Sequence, residues 1–273
     1  MDITVIVPVH RFDEDVEKYL NKSVDSYVKT SDYVTNKYNQ KNFLMFIGPK
    51  DVLDSIKKND IIKNIEEVSF IENNNDTSFC AQVNKGVNSC KTDYFSILEI
   101  DDAYTEKWFH NFNLYYTEHS DVSIFLSLTE VYDNRLPEGP NGKPTPFMFT
   151  NEAVWAASFS EKLGYLDLES LENFGNFNLT GAIFKKSDYF EVGGLKESMK
   201  FSFWYEFIMR MAYNGKKMFV VPKVGYKHLI NRDNSISDIY NKTMSPEEVD
   251  WWIDLAHKEY FFKNDRKKTY DGE

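Results

Sequence analysis

Four short apolar runs, each followed by a break or a helical spacing, constrain the first hundred residues more than any other feature. The β-branched run Ile3-Thr4-Val5-Ile6-Val7 stops at Pro8, and residues 3–9 read as a strand. Behind the acidic start Asp13-Glu14-Asp15, Val16, Leu20, Val24 and Tyr27 share one helical face. Residues 43–47 form a second run, stopped by Gly48-Pro49, and Val52, Leu53 and Ile56 mark a short helix. Residues 68–71 form a third, and Phe79, Val83 and Val87 a further helix. Residues 94–100 form a fourth and run directly into Asp101-Asp102. Strands that alternate with helices predict an α/β domain with a mostly parallel central sheet covered by helices on both faces.

The second half is less regular. Strands are expected over residues 122–128, 177–184 and 218–221, and a helix over 205–212. Residues 133–146 combine Asn, Gly and Pro so densely that they read as a long loop. Ser245-Pro246-Glu247-Glu248 is a capping box with proline at the first helical position. Its helix carries Val249, Trp252, Ile253 and Ala256 on one face, which needs an apolar partner, either the same domain or a second copy in a homodimer. We read residues 1–235 as one domain and 236–273 as a C-terminal helical extension.

Composition narrows the partners. Among 273 residues, 43 acidic side chains outweigh 32 basic ones, for a net charge of −11. That balance argues against a nucleic-acid binder, whose affinity comes from neutralising phosphates, and against adsorption to anionic membranes. No apolar stretch approaches the roughly 18 residues of a membrane span. Two cysteines, Cys80 and Cys90, are too few for a disulfide framework and fit a reducing, cytoplasmic setting. An anionic ligand would need a metal ion or a local basic cluster.

Open parallel sheets bind ligands beyond the carboxyl ends of their strands, so the strand ends are the informative places. No GxGxxG follows the first strand and no GxxxxGK[ST] occurs, which disfavours a dinucleotide site and a P-loop. The fourth strand ends in Glu99-Ile100-Asp101-Asp102. Strand alternation puts Glu99 and Asp101 on one side, a pattern that suits a hard divalent cation or, alternatively, a solvated acidic turn.

Several stretches, in order and at matching spacing, resemble family 2 inverting glycosyltransferases of the GT-A fold. They are residues 3–10 with Pro8, Val9 and His10, residues 76–87, residues 95–102 with an ExD in place of the DxD, Gly181-Ala182-Ile183-Phe184 with Val192-Gly193-Gly194-Leu195, and residues 204–210. The resemblance implies a GT-A, Rossmann-like sheet and a nucleotide-sugar donor, UDP-, GDP- or dTDP-linked. It also implies a glycan or lipid-linked acceptor and a Mn2+ or Mg2+ ion held by Asp101, Asp102 and His228. Pro8, Val9, His10, Asp51, Lys85, Glu99 and Arg232 would contact the donor, with Arg232 gripping phosphate.

The family's usual Glu-Asp pair aligns with Phe203-Trp204, which leaves Glu206 as the nearest carboxylate to act as base, its pKa raised by partial burial. The other reading of Glu206 is an i,i+4 surface ion pair with Arg210. Two further functions stay open: a degenerate GT-A domain that binds nucleotide or glycan without turnover, and a nucleotidyltransferase. The latter usually carries a glycine-rich basic loop after the first strand, and His10-Arg11-Phe12-Asp13 is not one.

Overall fold

The computed structural model describes residues 1–139, 144–156, 162–173 and 177–260, apart from the side chains of residue 253 and residues 256–260. In chain order the elements are β1 (Ile3–Pro8), α1 (Glu14–Tyr38), β2 (Asn42–Gly48), α2 (Lys50–Ile56), α3 (Asp60–Lys63), β3 (Val68–Glu72), α4 (Phe79–Ser89), β4 (Tyr94–Ile97), β5 (Ala103–Tyr104) and α5 (Trp108–Tyr116). They continue with β6 (Ile124–Asp133), β7 (Met148–Thr150), β8 (Tyr165–Leu166), α6 (Leu168–Asn173), β9 (Ile183–Lys185), α7 (Lys186–Glu191), α8 (Phe203–Tyr213), β10 (Met218–Ile230), α9 (Ile236–Thr243) and α10 (Pro246–Tyr260).

The described strands form one sheet in the order β3-β2-β1-β4-β9-β6-β10-β5, with β7 on β6 and β8 on β10. The long ladders β1–β2, β2–β3, β1–β4 and β6–β10 are parallel, as the alternating strand and helix signals predict. Short β9 runs antiparallel between β4 and β6, so the sheet is mixed at its centre. Its helices cover two faces. Ile3, Val5 and Val7 of β1 pack with Val16, Leu20 and Val24 of α1, and Ile6 packs in the cluster formed by α4 and α8. Side chains of this size stabilise by about 1.5–3 kcal/mol each when fully buried, which explains the near-continuous apolar character of β1.

Three local expectations are corrected. The fourth strand stops at Ile97 rather than residue 100, because the chain turns: the Asp102 amide donates to the Glu99 carbonyl at 3.1 Å. This turn feeds β5, which pairs antiparallel with β10. The strand expected over 177–184 is confined to β9, because Gly181 adopts φ +74°. A Cβ there would lie 2.1 Å from the Tyr226 ring, and the Gly181 carbonyl accepts from Trp108 Nε1 at 2.8 Å. Finally, β10 runs on past Val221 to Ile230 through register shifts beside Val224, which carries His228 into the sheet. The loop after β6 returns as the hairpin strand β7, and its residues 140–143 lie outside the described residues.

At the C-terminal end, Ser245 Oγ accepts from the Glu248 amide at 3.2 Å, as a cap should. α10 lies against α8, with Val249 and Trp252 half-buried and Trp251 exposed; Ile253 and Ala256 of the expected face lie outside the described side chains. No helix among the described residues is long and apolar enough to cross a membrane.

Candidate functional site

The chain leaves β1 toward β2 and β3 on one side and returns to β4 on the other, so strand order reverses between β1 and β4. A cavity of about 700 Å³ opens at this reversal, beyond the strands' carboxyl ends. Pro8 and His10 line it from β1, Glu99 and Asp101 from the turn after β4, and His228 and Arg232 from the end of β10. Six residues that the sequence singles out are thus brought together from three separate segments. Glu99 and Asp101 reach the wall through the turn, not through strand alternation.

Two ion pairs organise the charged half. Arg232 Nε donates to Asp101 Oδ2 at 2.6 Å, with both side chains nearly buried, and the guanidinium sits 5.3 Å from the Tyr19 ring centre. His228 Nδ1 lies 2.9 Å from Asp102 Oδ2, and the Leu229 amide donates to Asp102 Oδ1 at 2.8 Å. Burial alone would lower the His228 pKa, but the Asp102 carboxylate outweighs it and holds the imidazole up at about 9. Burial, and then Asp102, push the Glu99 carboxyl up to about 8. Burial, followed by Arg11 and Arg232, lowers the His10 pKa.

The other half is aromatic. Phe177, Phe201, Phe203, Trp204 and Tyr205 line it, and Trp204 stacks on Phe184 with ring centres 5.9 Å apart. Among the described residues, His10 Nε2 and Trp204 Nε1 are buried without a hydrogen-bond partner in the protein. Sequence reasoning passed over Trp204 as a member of the site; the run Phe201-Ser202-Phe203-Trp204-Tyr205 was its only signal.

Other expected residues lie off the cavity. Asp51 is exposed in the first turn of α2, and Lys85 is exposed on α4 with Nζ 3.5 Å from Asn73 Oδ1. Val9 is buried; its amide donates to Gln82 Oε1 at 2.9 Å and thereby fixes the end of β1 on α4.

Glu206 differs most from expectation. It is buried, but Arg210 grips both of its oxygens at 2.8 and 2.7 Å and Lys196 Nζ lies 2.9 Å from Oε1. Burial would raise its pKa, yet these bonds outweigh burial and lower it. Arg210 also donates to the Val192 and Gly194 carbonyls. Glu206 is therefore the centre of a buried clamp that ties the segment before α8 to that helix, neither a surface pair nor a carboxylate poised to take a proton.

No group of three His, Cys, Asp or Glu side chains is gathered around a cation site among the described residues. The donor types nevertheless fit one. Asp101 offers hard carboxylate oxygen, and His228 an imidazole whose Nδ1 is oriented by a carboxylate, a common arrangement behind a metal-binding Nε2. Asp102, the third member of the expected set, is buried, bonds to His228 and the Leu229 amide, and is not among the residues lining the cavity.

No family model and no curated protein sequence matches the chain. Solved structures do. TarS residues 1–349 from S. aureus, in complex with UDP-GlcNAc, superposes with a TM-score of 0.67 at 16% identity over 95% of this chain. This chain spans 66% of that one. The mannosyltransferase PcManGT from Pyrobaculum calidifontis, in complex with GDP-Man and Mn2+, superposes with a TM-score of 0.59 at 11% identity over 85% of this chain and 58% of its own. At these identities the likeness is one of fold.

Proposed function

We propose that the chain is a glycosyltransferase that moves a sugar from a nucleoside diphosphate donor to a hydroxyl of a glycan or lipid-linked acceptor, with inversion, as in family 2. The observation that carries this reading is the convergence of Asp101, His228 and Arg232 at the β1–β4 reversal, where two cations meet a carboxylate pair in a wide cavity. Shared fold with proteins solved with UDP-GlcNAc and with GDP-Man supports it.

In this reading Arg232 binds the donor diphosphate, and its charge offsets the negative charge that grows on it as it leaves. A divalent Mn2+ or Mg2+ ion held by Asp101 and His228 would add Lewis-acid neutralisation of the same group. The acceptor oxygen bonds to the anomeric carbon while the bond to the diphosphate breaks, and the acceptor's proton passes to a base. Two carboxylates line the cavity, and Asp101 is paired with Arg232; Glu99, with its raised pKa, is the better proton acceptor.

The engagement of Glu206 favours a second reading, a domain that binds nucleotide or glycan without turnover. Incubating the protein with UDP-, GDP- and dTDP-sugars, with and without Mn2+, and following the product anomer by NMR tests both. Turnover with inversion of at least one donor supports the transferase. Binding with no consumption of any donor supports the second reading, and no binding rejects both.

A further inference from the structure

Arg232 is held by more than its ion pair. After β10 the chain turns through Asn231 (φ +59°) and Asn234 (φ +57°), both in the left-handed region. The Asn134 amide donates to the Ile230 carbonyl at 3.1 Å, and the Ser235 amide to the Arg232 carbonyl at 3.2 Å, so the backbone is tied on both sides of the arginine. This turn delivers the Arg232 side chain to the cavity wall. There Nε is bonded to Asp101, while Nη1 and Nη2 make no hydrogen bond among the described residues.

The second support comes from α1. Asp13 caps that helix by accepting from the Val16 amide at 2.9 Å, and Val16 and Leu20 pack into the core below β1. Tyr19 lies half-buried at the margin of the same helical face, and its ring centre is 5.3 Å from the Arg232 guanidinium carbon. The tyrosine hydroxyl makes no hydrogen bond among the described residues, so the contact is one of ring and cation alone. A guanidinium can rest on an aromatic ring and still offer its N–H fork to planar oxygen acceptors. The ring therefore takes up none of the hydrogen-bonding capacity of Arg232, whereas the Asp101 carboxylate takes Nε.

We propose that Tyr19 is a positioning residue for phosphate recognition, whose ring keeps the Arg232 guanidinium at the cavity wall once a nucleoside diphosphate has drawn it from Asp101. The inference rests on the transferase reading above and deepens it, by naming what orders the phosphate-binding group in the bound state. An arginine released from its carboxylate would otherwise regain its rotamer freedom, and the ligand would have to order it again. The ring attracts the cation most when no carboxylate neutralises it, which is the state that meets the phosphates.

Calorimetric titration of UDP, GDP and dTDP, each with Mn2+, into the full-length protein and its variants tests this. For a nucleotide that binds the parent, Tyr19→Leu and Tyr19→Met, which fill the space without a ring, weaken binding by about 3- to 30-fold, up to the ordering cost of an arginine side chain. Tyr19→Phe keeps the ring and holds affinity within about twofold of the parent. In an Arg232→Ala background the Tyr19 substitutions change affinity by less than about twofold, a coupling that a merely structural role would not show. Affinity for the nucleoside without phosphates stays the same in every Tyr19 variant. Unchanged nucleotide affinity in Tyr19→Leu and Tyr19→Met overturns the proposal. So does an equal loss in Tyr19→Phe, in the Arg232→Ala background or for the nucleoside. Failure of UDP, GDP and dTDP alike to bind the parent protein instead rejects the transferase reading itself.

Discussion

Arg232 Nε and Asp101 Oδ2 lie 2.6 Å apart, in a pair that bridges the residue after β10 and the turn after β4. Both side chains are about nine-tenths buried, at 7% and 11% exposure. The pair thus closes the charged half of the cavity, and a diphosphate with its cation would re-partner both groups: Arg232 to phosphate oxygen, Asp101 to the metal.

Arg232→Ala removes the guanidinium that the proposed function sets on the donor's phosphates. Calorimetry should show nucleoside diphosphate binding weakened by about 1.5–3 kcal/mol, the range for a charge-assisted contact. Binding of the nucleoside without phosphates should change little. Equal losses for both would place Arg232 outside the phosphate site.

Glu99 and Glu206 should give opposite results. Glu99→Gln keeps the shape, removes the proton acceptor and should lower the transfer rate by about 10²–10⁴ with donor affinity kept. Glu206→Gln breaks a buried clamp and should cost about 3 kcal/mol of stability, read by denaturant unfolding. Near-normal transfer by Glu99→Gln, with Glu206→Gln inactive yet equally stable, would return the base to Glu206.

The same clamp sets a pH dependence. Its partners hold the Glu206 pKa below the ordinary carboxylate value of 4.5, so the folded state binds its proton less readily than the unfolded chain. The stabilisation is fully present above the unfolded pKa and is lost as pH falls through the lowered one. Melting temperatures of the parent and Glu206→Gln should therefore converge as pH drops from 7 to 3. A constant gap would show that the clamp's contribution is not ionic.

Much of this was legible in the chain, for physical reasons that can be named. β1 and β4 are buried on both faces, so their apolar runs stood out, and the chemistry sat where those runs stopped, at Pro8 and at Glu99 to Asp102. His228 and Arg232 were legible only through the resemblance, since nothing local shows that β10 extends past two register shifts to deliver them. The role of Glu206 was misread because spacing reveals the i,i+4 pair with Arg210 but not its burial or Lys196, ten residues upstream. Asp51 and Lys85 fell outside because α2 and α4 carry them to the exterior. Trp204 was hidden because aromatic residues on a helix read as core until a cavity is seen beside them.

The most direct measurement is calorimetric titration of UDP-GlcNAc and GDP-mannose into the parent protein and Asp101→Asn, each with Mn2+ and with excess EDTA. The account predicts binding of at least one donor to the parent, markedly weaker in EDTA. It predicts that Asp101→Asn, folded at the titration temperature although lower-melting for want of its pair with Arg232, loses the Mn2+-dependent part. Donor binding of equal strength in all four conditions would contradict the metal role of Asp101. No donor binding by the parent would contradict the assignment of this cavity to a nucleotide sugar.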